Sequence, residues 1–479
     1  MVKTEQMPLI EPVELLPPHA LGAVHFIAVG GAGMSGIAAM FGQLGVATSG
    51  SDQVTSDNLA RLEQSGVRTF VGHHRDQLGD ASTVVVSTAV RETNPELAEA
   101  RRRGLRIWHR SAALGALMLG RRGVAVTGTH GKTTTSAMTA TLLDEAGADP
   151  SYVVGSPLTT TGRSHQLGQG AAFVVEADES DGSYLQYPAE IVVITNVESD
   201  HLDNWGTPKA YAEGFVRLAT AETVSAVVIS ADDPGAQELI PAIRAAGKQV
   251  LTFGESPQAE VLLTELQLGG SGGSAVLSAD GDSGPLKLAV PGRYNLHNLA
   301  AAYAVGRLLG IDGAALRAAA GAFSGTYRRF QLVAEVKGVR IFDDYAHHPT
   351  EVAATLTAAR GLAGEQRLVA CFQPHLFTRT RDFAEAFGVA LAIADQIVVL
   401  GIYPAREDPI EGVTGELVAK AARAVVGAGR VSYAESLDEG VSLLAALVRP
   451  GDVVLTIGAG DVTKVGPKLA RELGEGPDR

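Results

Sequence analysis

The sequence predicts an α/β protein with three domains: a Rossmann-like N-terminal domain, a central P-loop ATPase domain with a mostly parallel sheet, and a Rossmann-like C-terminal domain. Three observations carry this. At 479 residues the chain is too long for one ordinary core, and typical domain sizes suggest about three. Short apolar runs alternate with Ala-rich helical stretches, among them Val84–Ser87, Ala172–Val175, Ile191–Thr195, Val227–Ile229, Gln396–Leu400 and Val453–Ile457. Buried runs of that kind between helices are the pattern of parallel sheets. Finally, three segments each open on a β-branched strand, two of them followed by a glycine-marked turn.

In chain order, residues 1–21 mix acids with prolines and lack a basic stretch followed by an apolar one, which reads as a flexible leader and not a signal peptide. Residues 22–121 begin with strand Val24–Val29 and the turn Gly30-Gly31-Ala32-Gly33. Residues 122–325 begin with strand Gly123–Thr127 and a second glycine turn at Gly128, and the Gly-, Ser- and Asp-rich stretch Leu268–Pro285 reads as hairpins in a small antiparallel insertion. Residues 326–479 begin near Arg328-Arg329-Phe330, with Val339–Phe342 as an early strand.

Composition narrows the partners. The formal net charge of −14 disfavours nucleic acid and anionic membrane surfaces. No run reaches the length of a membrane span. The single cysteine, Cys371, lies in an apolar run, reads as a buried small hydrophobe, and fits a reducing cytoplasm.

The chemistry begins at Gly128-Thr129-His130-Gly131-Lys132-Thr133-Thr134, between a strand and a helix expected from Thr133 to Glu145. Glycines there let successive backbone N–H groups face one anion, and the helix N-terminus adds positive potential. Lys132 would reach the terminal phosphates of ATP and the Thr133 hydroxyl a magnesium ion. The common spacing has a glycine where this chain has Val126, so the loop is a shortened variant. Two strands downstream run into acidic turns, Glu176-Ala177-Asp178-Glu179-Ser180-Asp181 and Thr195-Asn196-Val197-Glu198-Ser199-Asp200-His201. Hard oxygen ligands at strand ends beside a phosphate loop suit magnesium. The N-terminal turn Gly31-Ala32-Gly33-Met34-Ser35-Gly36, with Asp52 following, read alone is equally a dinucleotide site.

These motifs, with Pro291-Gly292-Arg293-Tyr294-Asn295, Asp343-Asp344-Tyr345-Ala346-His347-His348-Pro349 and Phe372-Gln373-Pro374-His375, resemble the Mur ligases of peptidoglycan synthesis across residues 22 to 473. The resemblance implies ATP-dependent joining of L-alanine to UDP-N-acetylmuramate through an acyl phosphate, in the cytoplasm, by a monomer or weak dimer. It implies two magnesium ions, replaceable by manganese, with Thr133 on one and Glu176 and His201 on the other. Lys132, His201, His348 and Arg379 or Arg381 become catalytic candidates. Gly128 to Thr134, Asn295, Asn298, Arg329 and Asp344 become ATP ligands. Gly30, Gly31, Ala32, Gly33, Met34, Ser35, Ser51, Asp52, Ser87, Thr88 and Ala89 become the UDP-sugar site. For Asn295, N-capping of a helix Leu296–Leu309 is the competing reading.

Three positions depart from the family: Ala28 for a glycine, Leu376 for an arginine, and Ala221-Glu222-Thr223-Val224-Ser225 for a Leu-Pro-Phe-Tyr-Gly-like run. Ala28 should matter little, and the other two put local substrate contacts in question. No lysine lies between Lys209 and Lys248 to serve as a carbamylated metal ligand. Three rival functions stand beside the main one: a recycling ligase adding a tripeptide to the same sugar, a dinucleotide-dependent oxidoreductase, and a catalytically dead nucleotide-binding regulator.

Overall fold

The computed structural model describes residues 9–405 and 407–475. Its strands form three sheets. In the first, β1 (Val24–Ile27), β2 (Thr48–Asp52), β3 (Arg68–Val71), β4 (Thr83–Val86) and β5 (Arg106–His109) lie in the order β3-β2-β1-β4-β5 with every pair parallel. The chain reverses direction across this sheet between β1 and β4, and at such a switch point the carboxyl ends of open sheets bind ligands.

The second sheet holds β6 (Arg122–Thr127), β7 (Ser151–Val153), β8 (His165–Gln166), β9 (Ala172–Glu176), β10 (Ile191–Ile194), β11 (Ala226–Ser230), β12 (Gln249–Gly254), β13 (Val261–Gly269), β14 (Gly272–Ala279) and β15 (Asp282–Leu288). Their order is β15-β14-β13-β12-β11-β10-β6-β9-β7-β8, parallel from β7 through β13. The four side chains of β10 are all buried, each worth about 1.5–3 kcal/mol of apolar burial. The Gly-rich stretch does fold into hairpins: Asp280 and Gly281, at φ 50° and 75°, make the two-residue turn between β14 and β15, as a type I′ turn requires. These strands extend the edge of the central sheet and are not a separate insertion.

The third sheet comprises β16 (Gln331–Val336), β17 (Val339–Asp344), β18 (Leu368–Phe372), β19 (Gln396–Leu400), β20 (Val431–Ala434) and β21 (Val453–Ile457) in the order β16-β17-β21-β18-β19-β20. Only β16 is antiparallel to its neighbour. Cys371 on β18 is fully buried, and burial pushes its thiol up to about 12. The expected three-domain α/β fold is thus present. No helix among the described residues is long and apolar enough to cross a membrane.

The chain packs as two compact units. One runs to Thr264 and takes in Val276–Leu286 and His297–Phe323; the other takes Glu265–Ala275, Lys287–Leu296 and the chain from Ser324. In the first unit one continuous apolar core links the first two sheets, from Phe26 and Phe41 to Phe173 and Phe215.

Two expectations need correction here. Residues 1–8 of the expected leader lie outside the described residues, but the remainder is pinned, not flexible. Ile10 N donates to Asp181 O, Val13 N and O bond the Gln186 side chain at 2.7 and 2.8 Å, and Leu15 packs on Gly115. Backbone hydrogen bonds and buried leucine area overcame a proline-rich composition. Asn295 is no N-cap, because its helix spans Arg293–Leu308 and already contains it.

Candidate active site

The phosphate loop joins β6 to the helix Lys132–Glu145. Its glycines answer two steric demands. Gly128 has φ 127°, and a Cβ there would lie 2.1 Å from Thr195 Oγ1; Gly131 has φ 84°, and a Cβ there would lie 2.9 Å from Asn298 Oδ1. Both are conformations that L side chains avoid. The end of β10 clamps the loop. Asn196 Oδ1 accepts from His130 N at 2.8 Å, Asn196 Nδ2 donates to His130 O at 3.0 Å, and Asn196 O accepts from Thr129 N at 3.1 Å. Glu198 Oε2 lies 2.9 Å from His130 Nε2.

Lys132 folds back over this loop, donating from Nζ to Gly128 O at 2.7 Å, to Thr129 O at 3.0 Å and to Glu179 Oε1 at 3.0 Å. Burial alone would lower the pKa of this ammonium, but Glu179, Asp178 and Glu176 raise it, so the charge persists. Glu179 is completely buried. Burial raises its carboxyl pKa against the opposing pull of Lys132 and His201. Tyr211 donates its hydroxyl to Glu179 Oε1 at 3.2 Å, and Trp205 donates Nε1 to Glu179 O at 2.9 Å. These rings belong to an edge-to-face set with Tyr184 and Phe215 that floors the acidic turn.

The expected metal ligands gather at the same strand ends. Thr133 Oγ1 donates to Glu176 Oε1 at 2.9 Å, and Gly155 N donates to Glu176 Oε2 at 2.6 Å. His201 takes φ 52° at the start of a short helical turn, with Nε2 at 3.7 Å from both Glu179 and Asp200. A hydroxyl, several carboxylates and an imidazole are a donor set that fits a hard divalent cation. Thr134 is buried in the first turn of the helix, and Asn298 is buried against Gly131. Glu179 has no role that its place in the sequence reveals, because acid spacing cannot distinguish it from Glu176.

At the first sheet the structure refines the sugar-site residues. Ala28, φ 61°, ends β1 in the left-handed region. The residue in place of a glycine therefore carries strain and is not neutral. Gly30 N donates to Asp52 Oδ2 at 2.9 Å, so that carboxylate shapes the turn. Gly31 precedes the helix Ala32–Gln43, whose first turns carry Gly33, Met34 and Ser35. The Arg110 guanidinium lies against Gly33 and 4.0 Å from Asp178. Ser87, Thr88 and Ala89 follow the end of β4. Ser51 differs from expectation: it is fully buried, and its hydroxyl donates to Glu96 at 2.6 Å, so it has no donor left for a ligand.

The second unit builds its own edge at the carboxyl ends of β17 and β18. Asp344, buried, accepts from Phe330 N and Ala346 N, both at 2.8 Å, and from Thr355 Oγ1 at 3.2 Å. Burial pushes its carboxyl up to about 6 against the opposing pull of Arg329. Tyr345 lies beneath both Arg328 and Arg329, 4.9 and 5.1 Å from its ring. His347 is pushed down to about 3, chiefly by burial. His348 begins the helix Pro349–Ala363, its backbone N 3.3 Å from Glu351 Oε2. His375 stacks on Tyr403. Of the two arginine candidates, Arg379 is buried and acts electrostatically on His347, whereas Arg381 is half-exposed and bonded to its neighbour Asp382 at 2.6 Å. Arg381 is thus set aside, since two residues along the helix Phe377–Leu391 turn it by roughly 200°, onto the opposite face from Arg379. Leu376, φ 69°, donates its N–H to Tyr403 O at 3.0 Å and serves the backbone turn. The segment Ala221–Ser225 precedes β11, at the opposite sheet edge from the phosphate loop. Lys248 Nζ bonds its carbonyls at Ala221 and Val224, so this departure is structural and does not touch the site.

Comparison with known proteins agrees with this geometry. The Mur ligase family, catalytic domain, matches residues 23–122; the Mur ligase middle domain, 126–306; and the Mur ligase, glutamate ligase domain, 328–460. UDP-N-acetylmuramate–L-alanine ligase of Cutibacterium acnes is 62% identical over 97% of this chain and 98% of its own. Its counterpart in Thermobifida fusca is 47% identical over 98% of this chain and 100% of its own. The crystal structure of UDP-N-acetylmuramate-alanine ligase from Thermotoga maritima superposes with a TM-score of 0.77 at 27% identity, covering 94% of this chain and 98% of that one. The chain belongs to the Mur ligase family.

Proposed function

We propose that this Mur ligase joins L-alanine to the lactyl carboxylate of UDP-N-acetylmuramate at the expense of ATP, in the cytoplasmic synthesis of peptidoglycan precursors. The observation that carries the reaction type is the convergence of Lys132, Thr133, Glu176, Glu179 and His201 at the ends of β6, β9 and β10. The choice of substrates is supported by the 62% identity to the Cutibacterium acnes ligase along 97% of the chain. The recycling and oxidoreductase readings have no comparable support.

A carboxylate is a poor electrophile, so it is first phosphorylated by ATP to an acyl phosphate. The amine of L-alanine then attacks the carbonyl, and phosphate leaves. The Lys132 ammonium, released from Glu179, would face the terminal phosphates together with the backbone N–H groups from Gly131 to Thr134, while those of Thr129 and His130 are bonded to Asn196 and hold the loop's shape. Thr133, Glu176 and His201 would hold magnesium or manganese, which supplies neutralising charge for the crowded oxygens. Asn295, Asn298, Arg329 and Asp344 are assigned to adenosine, Gly30 to Ser35 with Asp52 and Ser87 to Ala89 to the UDP sugar. His348 and Arg379 are assigned to the acyl phosphate and amino acid. This reading divides the chain at 22–121, 122–325 and 326–479, and takes it as a monomer or weak dimer.

Phosphate release from ATP, measured with UDP-N-acetylmuramate plus L-alanine, D-glutamate or the tripeptide in turn, tests the assignment. Release should require L-alanine. Release driven by the tripeptide alone would replace it with the recycling reaction.

A further inference from the structure

Behind the nucleotide edge of the first sheet lies a completely buried carboxylate, Glu96, in the first turn of the helix Pro95–Arg103. Three donors and the ring of His25 converge on it. Ser51 Oγ and His73 Nδ1 reach Oε2 at 2.6 and 2.9 Å; His25 Nε2 lies 3.3 Å from Oε1; and the Gln77 amide, with its nitrogen turned inward, donates to Oε1 at 2.7 Å. Burial opposes ionisation, but His25, Ser51 and His73 together outweigh it and hold the carboxyl below its ordinary range. A buried ion is a costly way to tie loops together, so its effect on its neighbours matters.

The decisive neighbour is His73, which follows β3 at the carboxyl end of the sheet. Gly72 before it donates to Asp52 O at 2.7 Å, which sets His73 beside the end of β2. Its side chain is 19% exposed, whereas Glu96 is wholly enclosed. An ionised carboxylate can only accept, so Nδ1 must carry the proton. In a neutral imidazole Nε2 is then a bare acceptor. The Ser51 hydroxyl is consistent with this, because it donates to Glu96 and leaves its oxygen 2.9 Å from the same Nδ1–H.

We propose that Glu96 is a positioning residue that fixes His73 with Nε2 unprotonated, and that this nitrogen accepts the N3–H of a uracil base and so selects uracil over cytosine nucleotides. Uracil carries a proton on N3. Cytosine presents a lone pair there, which would oppose that of Nε2, and an opposed acceptor pair is an effective discriminator. The proposal rests on the UDP-sugar reading given above.

Calorimetric binding of UDP and CDP to the full-length protein, with ATP binding as the check on folding, tests it. The unaltered protein should prefer UDP by roughly ten- to hundredfold. In Glu96→Gln the carboxamide can present its NH2 to Nδ1, the imidazole proton moves to Nε2, and the preference should collapse or invert. In His73→Ala it should fall to within about threefold. ATP-competent variants that keep the original ratio would overturn the proposal. If Glu96→Gln fails to bind ATP, His73→Ala decides alone. Equal affinity of the unaltered protein for UDP and CDP overturns the selectivity only, whereas binding of neither overturns the UDP-sugar reading beneath it.

Discussion

The carboxyl edges of the second and third sheets both gather histidines, acids and basic groups, yet they treat charge in opposite ways. At the phosphate loop, Lys132 is enclosed but stays cationic because Glu179, Asp178 and Glu176 surround it. At the ends of β17 and β18, burial drives groups toward neutrality: His347 falls to about 3 and Asp344 rises to about 6. The first edge stores fixed, paired charge that phosphate can exchange into. The second presents a neutral imidazole and a carboxyl brought closer to protonation, with Arg379 as its buried cation. Charge compensation, more than burial, separates the two.

The largest expected effect comes from breaking the paired edge. Lys132→Met should reduce turnover by about three orders of magnitude or more, as loss of a charge-stabilising group in a dry site does. It should also cost about 3–5 kcal/mol of stability by leaving Glu179 buried and uncompensated. Adding Glu179→Gln should recover much of that stability, read as the urea midpoint, and none of the activity. A double variant no more stable than Lys132→Met would show that the pair is not what holds this edge.

Next is His201→Ala, expected to lower turnover roughly hundredfold and raise the magnesium concentration needed for half-maximal rate. Unchanged activity at low magnesium would remove His201 from the metal site.

The edge dominated by burial should show itself through pH. The folded pKa of His347 lies near 3, below the ordinary value of about 6.5. The unfolded chain therefore binds the proton first, and the stability present above pH 6.5 is lost as pH falls toward 3. His347→Asn should flatten the change in stability between pH 7 and 5 by about 1–2 kcal/mol, measured by urea unfolding. An unaltered pH slope would contradict the account of a buried, neutral His347.

The smallest effect concerns a position outside both edges. Ala28→Gly relieves a left-handed alanine and should stabilise by up to about 1 kcal/mol in the same assay. A loss of stability would mean that Ala28 is held there by packing.

Much of this was legible because it is local. The apolar runs at Ile191–Ile194, Leu368–Phe372 and Val453–Ile457 are strands as read, since β-branched residues bounded by turns suit buried parallel positions. The phosphate loop could be read from its glycines and Lys132-Thr133. What escaped depends on long-range pairing. Nothing in spacing shows that Ser51 bonds Glu96, 45 residues away, or that Glu179 and not Glu176 meets Lys132. The segment from Leu9 to Leu15 reads as loose because its partners, Asp181, Gln186 and Gly115, lie far along the chain. Arg379 and Arg381 are equivalent in sequence, and only the packing of their helix buries one.

The central claim is that ATP activates the lactyl carboxylate as an acyl phosphate before L-alanine attacks. It is tested most directly with UDP-N-acetylmuramate labelled with oxygen-18 in that carboxylate. Mass spectrometry of the phosphate released in the presence of ATP and L-alanine should show one labelled oxygen per molecule, carried over from the carboxylate. Phosphate released without label, while the alanyl product forms, would contradict the account.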